Sequence, residues 1–351
     1  MSTKNNKLLV VLGPTASGKS DLAVKLARKL ALSKVEGFNG AEIISADSRQ
    51  VYKGMNIGSG KITKKEMRGI PHYLLDVASP KKRFTVAQYQ KLARKAIKKI
   101  WKRGKLPILC GGTGLYIQSI VDGLAIPEVP PDAKLRDRLE KLTTQKLFVK
   151  LQKLDPQRAK NIDQHNRRRL IRALEIVIKT GNAVPQNSLF LQSHTSSSPL
   201  LKRGVGGDFY NNTINAALKN PSYPPFYKGR NLLQIGIAQP KEKLKKLIKK
   251  RLYKRLRKGM VAEVKKLHRQ GLSWKRLEEF GLEYRAVAQY LQQKTLRRAQ
   301  GVSAKQKMIY KIQKESEQYA KRQMTWFKRD KRIKWIKNYK EAEELTRQFL
   351  A

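Results

Sequence analysis

Gly13-Pro14-Thr15-Ala16-Ser17-Gly18-Lys19-Ser20 fits G-x-x-x-x-G-K-[ST], the spacing of a phosphate-binding P-loop. Leu8, Val10, Val11 and Leu12 precede it as a short apolar run. Leu22, Val24, Leu26, Ala27 and Leu30 follow at helical spacing, mixed with Lys and Arg. The motif therefore sits where it must, between a strand and a helix. Its glycines let backbone N–H groups turn toward an anion, and the helix N-terminus adds partial positive charge. Lys19 is placed to reach a terminal phosphate, and the Ser20 hydroxyl to sit on Mg²⁺. The loop implies a diphosphate or triphosphate and leaves open what is done with it.

Outward from the loop, strand and helix alternate. Glu42-Ile43-Ile44-Ser45-Ala46 reads as a buried strand with Asp47 at its carboxyl end, and a loop follows through Gly58. His72 to Val77 is a third strand candidate. Thr85 caps a helix through Arg103, with Tyr89, Leu92, Ala96, Ile97 and Ile100 on one face. Leu106 to Cys110 is a strand, and Gly111-Gly112-Thr113-Gly114 turns into a helix over Leu115–Val121. This grammar predicts an α/β fold: a P-loop-type parallel sheet with helices on both faces. Ligands of such sheets bind at the carboxyl ends of strands, an edge that would gather the P-loop, Asp47 and Thr113.

Pro127, Pro130 and Pro131 mark a change to helices alone. One is expected over Asp132–Leu142, with further turns through Lys153. Asp155-Pro156 opens another as N-cap and first-turn proline. Arg167 to Lys179 is a third, stopped by Gly181, with Leu170, Leu174, Val177 and Ile178 as its buried stripe and Arg168, Arg169 and Arg172 off it. Residues 186–230, with Thr195-Ser196-Ser197-Ser198 and several Gly, Asn and Pro, read as a low-complexity loop. A strand resumes at Leu232–Ile237. Basic helices are expected over Lys241–Leu267, Leu277–Leu291 and Ala304–Phe327, and a last strand at Lys334-Trp335-Ile336. The expected division is 1–126 as the first part of the core, 127–185 as an all-helical insertion domain, 186–230 as the loop and 231–351 as the second part of the core.

The 351 residues carry 77 Lys plus Arg against 26 Asp plus Glu, a net charge of +51. A surface so positive repels itself unless a polyanion is near, which points to nucleic acid or an anionic membrane. The single cysteine, Cys110, excludes a disulfide framework and a cysteine-rich zinc site, and its apolar setting reads as a buried small hydrophobe. Leu8 to Leu12 is too short for a signal-peptide core, and no apolar stretch approaches membrane-spanning length. A cytoplasmic protein without a membrane partner is expected.

Single residues leave alternatives open. Asp47 suits a general base, a metal ligand or a substrate acceptor, and equally a turn cap. Gly111 to Tyr116 suits a second anion-binding helix terminus, or a turn that only needs glycine. Tyr284 and Arg285 suit base stacking and phosphate contact, or a core tyrosine beside a surface arginine.

Taken in order, these stretches resemble the tRNA dimethylallyltransferase family, also called tRNA isopentenyltransferases. The resemblance runs through the P-loop, Ile44 to Ser48, Val51 to Gly58, Pro71 to Asp76 and Gly111 to Tyr116. It continues through Arg169 with Arg172-Ala173-Leu174-Glu175, Gly281 to Arg285, and Ala320 to Trp326. It implies transfer of a dimethylallyl group from its diphosphate to N6 of the adenosine 3′-adjacent to a tRNA anticodon. It implies Asp47 and Thr113 as catalytic residues, and Gly13 to Ser20 with Arg251 as the diphosphate site. Mg²⁺ is the expected cofactor, on Ser20. Contacts to the tRNA anticodon stem-loop are expected from Asp47, Ser48, Arg49, Gln50, Arg136, Arg168, Arg169, Arg172, Phe280, Gly281, Tyr284 and Arg285, with residues 127–185 gripping the stem. A monomer is expected.

The chain departs from the family pattern in places. Ser20 stands where the family usually has Thr, which keeps the hydroxyl. Two and four positions after Arg251, where the family tends to carry Asp and Met, stand Tyr253 and Arg255. Nothing resembles the zinc finger of some eukaryotic members. A P-loop kinase of a small metabolite, with ATP in the loop and Asp47 on the acceptor hydroxyl, is the alternative.

Overall fold

A computed structural model describes residues 6–32, 37–127, 129–183, 231–296 and 302–351. The expected 186–230 loop lies outside the described residues. The chain divides into two compact units, one of residues 1–117 with 227–351 and one of residues 118–226.

The first unit is built on six parallel strands: β1 (Leu8–Leu12), β2 (Ala41–Ala46), β3 (His72–Tyr73), β4 (Leu106–Gly111), β5 (Leu232–Ile237) and β6 (Ile333–Ile336), in the order β3-β2-β4-β1-β5-β6. Side chains alternate across a strand, so Leu9 and Val11 face one side and Leu8, Val10 and Leu12 the other. All five are 0 % exposed, which requires cover on both faces. On one face, α1 (Lys19–Leu32) brings Leu22, Ala23, Leu26 and Leu30 onto Leu9, Val11, Ile108 and Ile235. The last helix, α14 (Tyr339–Leu350), adds Ala342 and Leu350 to the same cluster. Opposite stands α3 (Val86–Lys102), packed on β2 and β4. Its expected Thr85 cap is present and forms a capping box: the Thr85 hydroxyl accepts the Gln88 N–H while the Gln88 side chain accepts the Thr85 N–H. Each fully buried aliphatic side chain here, such as Ile97 or Ile100, stabilises the fold by roughly 1.5–3 kcal/mol relative to exposure.

Some sequence expectations need correction. The third strand stops at Tyr73, because Leu74 and Asp76 turn into the left-handed region and end its pairing. The basic helix from Lys241 is two helices, α9 (Lys241–Arg257) and α10 (Met260–Arg269) in the order of the described elements, divided at Gly259. Gly259 has φ +92°, which an L side chain rarely adopts, so the chain turns there at little cost. Short helices α2 (Lys64–Met67) and α11 (Trp274–Glu279), with α12 (Leu282–Leu296) and α13 (Val302–Phe327), complete this unit.

α4 (Gly114–Val121) leaves the sheet edge. The second unit holds α5 (Ala133–Glu140), α6 (Thr144–Leu154), α7 (Pro156–Asn161) and α8 (Arg167–Thr180). Asp132, Thr143, Asp155 and Asn166 cap them, each accepting a backbone N–H. α8 ends at Gly181. Leu135, Leu139, Leu147, Leu151, Leu170 and Leu174 form this unit's core. Ile178, expected in the stripe, is 41 % exposed; the buried arc of α8 runs through Ile171, Ala173 and Ile176 instead.

Candidate active site and nucleic-acid contacts

The sheet order makes β2, β4 and β1 neighbours, so their carboxyl ends open side by side. Ala46 is paired with Gly111, and Gly111 with Leu12. The P-loop, Asp47 and Thr113 therefore emerge along one edge, as expected. The P-loop and Asp47 line a cleft with Arg251, Arg255, Tyr319 and Gln323.

Within the P-loop, the Ser17 N–H donates to the Pro14 carbonyl at 3.3 Å and Leu22 begins the helical pattern on the Gly18 carbonyl. The Lys19 ammonium donates to the Pro14 carbonyl at 3.2 Å, folded over its own loop. Burial lowers its pKa, against the pull of Cys110 and Asp47. The Ser17 hydroxyl is buried and has no hydrogen-bond partner among the described residues. A buried ammonium and an orphaned hydroxyl in a turn of backbone amides suit an entering anion. Arg251 faces the same loop, donating from Nη1 to the Thr15 hydroxyl at 3.2 Å.

Asp47 serves as a turn cap and also lines the cleft. Its Oδ1 accepts the N–H groups of Arg49 at 2.8 Å and Gln50 at 3.3 Å, as a turn cap would. Both bonds fall on one oxygen. Thr113 accepts the Ser48 N–H at 3.0 Å through its hydroxyl, and its own N–H donates to the Ala46 carbonyl. Thr113 thus fixes the loop that carries Asp47. Ser20 lines the cleft beside Cys110, whose thiol burial pushes up to about 11. No group of three or more His, Cys, Asp or Glu able to hold a metal occurs among the described residues. Mg²⁺, with its preference for water and substrate phosphates over an all-protein cage, fits a single hydroxyl beside an anion-binding P-loop.

Gln323 was missed as a site residue. Its Oε1 accepts the Thr15 N–H at 2.8 Å and its Nε2 donates to the Gly112 carbonyl at 2.7 Å. One amide thereby ties the P-loop to the Gly-rich turn after β4. The signal was present: Met308, Ile312, Ser316, Ala320, Gln323 and Phe327 are the buried stripe of α13, and a glutamine on such a stripe needs polar partners.

The expected tRNA contacts divide. Arg49 and Gln50 are half-buried at the cleft. Arg49 donates from Nε to the Phe280 carbonyl at 2.9 Å and lies over the Tyr319 ring. Arg285 is exposed, and a Cβ on Gly281 would lie 3.5 Å from its Nη2 and 3.6 Å from Nη2 of Arg49. Tyr284 is a correction. It is 0 % exposed, its hydroxyl donates to Glu263 Oε1 at 2.8 Å and accepts the Ser59 N–H at 3.1 Å, and no face is open to a base. Phe280 is another: it is buried against Tyr52 and Tyr284, with the Arg276 guanidinium over its ring.

In the helical unit, Arg136 and Arg172 are paired within the fold and stay partly exposed. Arg136 binds the buried Glu175 carboxylate through Nε at 2.8 Å and Nη2 at 2.7 Å. Arg172 pairs with the same carboxylate and donates to the Val129 carbonyl at 2.9 Å. Burial alone would raise the Glu175 carboxyl, but Arg136, the Asp132 N–H and Arg172 outweigh it and hold it below its ordinary value. Arg168 is exposed and Arg169 half-buried.

The family model for IPP transferase matches residues 50–330. A tRNA dimethylallyltransferase of a Thermoanaerobacter species (strain X514) is 37 % identical over 98 % of this chain and 96 % of its own. One from Carboxydothermus hydrogenoformans is 36 % identical over 97 % and 94 %. The crystal structure of the full-length tRNA isopentenylpyrophosphate transferase of Bacillus halodurans superposes with a TM-score of 0.62 at 30 % identity, covering 99 % of this chain and 96 % of that one. No helix among the described residues is long and apolar enough to cross a membrane.

Proposed function

The chain belongs to the IPP transferase family, and we propose from that premise how its cleft carries out the family's reaction. It is a prenyltransferase that moves a dimethylallyl group onto tRNA, at N6 of an adenosine. The donor is dimethylallyl diphosphate and the acceptor adenosine is 3′-adjacent to the anticodon. The protein acts as a cytoplasmic monomer.

The adenine first leaves its stack, at a cost of a few kcal/mol that phosphate contacts elsewhere offset. Its exocyclic amine is a weak nucleophile because the lone pair is delocalised into the ring. Asp47 accepts a hydrogen bond from N6 and takes its proton as the N6–carbon bond forms. The carbon–oxygen bond to diphosphate breaks in the same displacement, and the leaving group carries away the bonding pair. The P-loop amides, Lys19 and Arg251 receive that charge. Mg²⁺ on Ser20 would supply further neutralisation of the diphosphate. Thr113 positions Asp47 through the Ser48 N–H. Arg49, Arg285, Arg168 and Arg169 are the tRNA phosphate contacts in this reading.

What supports it is the meeting of Lys19 and Asp47 in a cleft with an arginine facing the P-loop, with Thr113 bonded to the loop that carries Asp47. The test is incubation with Mg²⁺ and radiolabelled dimethylallyl diphosphate. Label is expected on unmodified tRNA. Label on AMP but not tRNA would mean a free-nucleotide acceptor, and turnover of ATP without prenyl transfer would mean a kinase.

A further inference from the structure

Arg255 lies one helical turn beyond Arg251 on α9, at the position where the chain departs from the family pattern. It is 8 % exposed, and it lines the cleft with Lys19 and Arg251. Its Nη1 donates to Glu283 Oε1 at 2.5 Å. Its Nη2 is buried with no hydrogen-bond partner among the described residues.

The two guanidinium groups crowd one another. A Cβ on Gly60 would lie 1.8 Å from Nη2 of Arg255 and 2.5 Å from Nη2 of Arg251, so a side chain there would have to displace both guanidinium ends. Like charges at such range repel in a poorly hydrated site, and an unsatisfied guanidinium donor there is costly. Glu283 answers one nitrogen of one arginine. Lys19 also feels the Arg255 charge, which opposes its protonation. A polyanion with several acceptor oxygens relieves all three cations at once.

We propose that Arg255 is a further diphosphate-binding residue of this enzyme, anchored by Glu283 so that Nη2 stays beside Arg251 and completes a three-cation cradle with Lys19. This rests on the reading of the cleft as the prenyl diphosphate site. Glu283 is a positioning residue in the arrangement. It holds the guanidinium in one rotamer, so less side-chain entropy is lost when the anion arrives.

Calorimetric titration of the full chain with inorganic diphosphate and Mg²⁺ tests the proposal, beside steady-state transfer to tRNA. The double variant Arg255→Met with Glu283→Gln removes the buried ion pair without stranding a charge, so its thermal midpoint should stay near that of the parent. Its diphosphate Kd, and its KM for dimethylallyl diphosphate, should rise about tenfold for a lost charge-assisted contact, while KM for tRNA stays within about twofold. Arg255→Lys keeps the charge without the fork and should fall between the two. If the double variant does not fold, Arg255→Lys carries the test. A diphosphate Kd equal to the parent's, in whichever of the two is folded, overturns the proposal even where prenyl transfer proceeds. If the parent protein transfers no prenyl group but loses diphosphate affinity on substitution, Arg255 stands as an anion ligand and the reading of the reaction falls.

Discussion

The side-chain carbonyl of Gln323 accepts the backbone N–H of Thr15 at 2.8 Å across 308 residues of sequence. With its amide on Gly112, Gln323 holds two anion-facing turns at a fixed separation. Gln323→Leu keeps much of the volume and removes both bonds. At about 1 kcal/mol per bond, it should raise KM for dimethylallyl diphosphate by roughly tenfold or more. Steady-state kinetics with saturating tRNA measures this; an unchanged KM would show that the clamp does not shape the loop.

Asp47 has a turn to hold and, in the proposed reaction, a proton to take. Asp47→Asn keeps an oxygen for the Arg49 and Gln50 N–H groups. It removes the base. Turnover should fall by roughly 10²–10⁴-fold, with the thermal midpoint and tRNA affinity little changed. Asp47→Ala should add a loss of stability that Asn does not. Equal losses of turnover and tRNA binding in Asp47→Asn would take the carboxylate out of the chemistry.

Tyr284 is a strut. Its hydroxyl bridges Glu263 and the Ser59 N–H, and Glu263 also accepts from the N–H groups of Asn56, Ile57 and Gly58. Tyr284→Phe leaves a buried N–H without its acceptor and should cost about 1–3 kcal/mol. Urea unfolding reads that loss. Binding of tRNA by the folded fraction should be unaltered, whereas a selective drop in affinity would give the Tyr284 hydroxyl a role at the RNA.

Glu175 should give the helical unit a dependence on acid. Its carboxyl is held below the ordinary 4.5 in the folded chain. Its contribution is therefore complete above about pH 5 and lost as the pH falls through the lowered native value. Glu175→Ala strands Arg136 and Arg172 and should cost about 3 kcal/mol at neutral pH, the lower end for a broken buried pair because both arginines keep some water. Glu175→Gln should flatten the acid limb of stability against pH, followed by circular dichroism. A limb of unchanged steepness would assign the acid sensitivity to other carboxylates, such as Glu42 with Lys105 and Arg103.

Arg168 and Arg136 should part company. Arg168→Ala should weaken tRNA binding about equally for different tRNAs and reduce the slope of log affinity against log salt by roughly 1. Arg136→Ala should instead lower the thermal midpoint. Filter binding at several salt concentrations separates them, and a flat salt response of the parent chain would mean that its +51 charge does not face the RNA.

The residues alone determined the sheet. The apolar runs, the glycine turn, the Thr85 capping box and Gly181 are local signals whose physics acts over a few residues, so β1, α1, α3, β4 and β5 were legible. The gathering of the P-loop, Asp47 and Thr113 at one edge followed from the strands being parallel, which puts all their carboxyl ends on the same side. Tertiary structure alone decided which polar side chains are spent on the fold. Tyr284, Arg136 and Arg172 carry the same chemistry as RNA-contacting residues; partners distant in sequence, Glu263 and Glu175, bind Tyr284 and Arg136, while Arg172 shares the Glu175 carboxylate three residues on. Gln323 and Arg255 enter the site for the same reason: desolvation and pairing across the chain fix their roles, and no short window of sequence contains both members of those pairs.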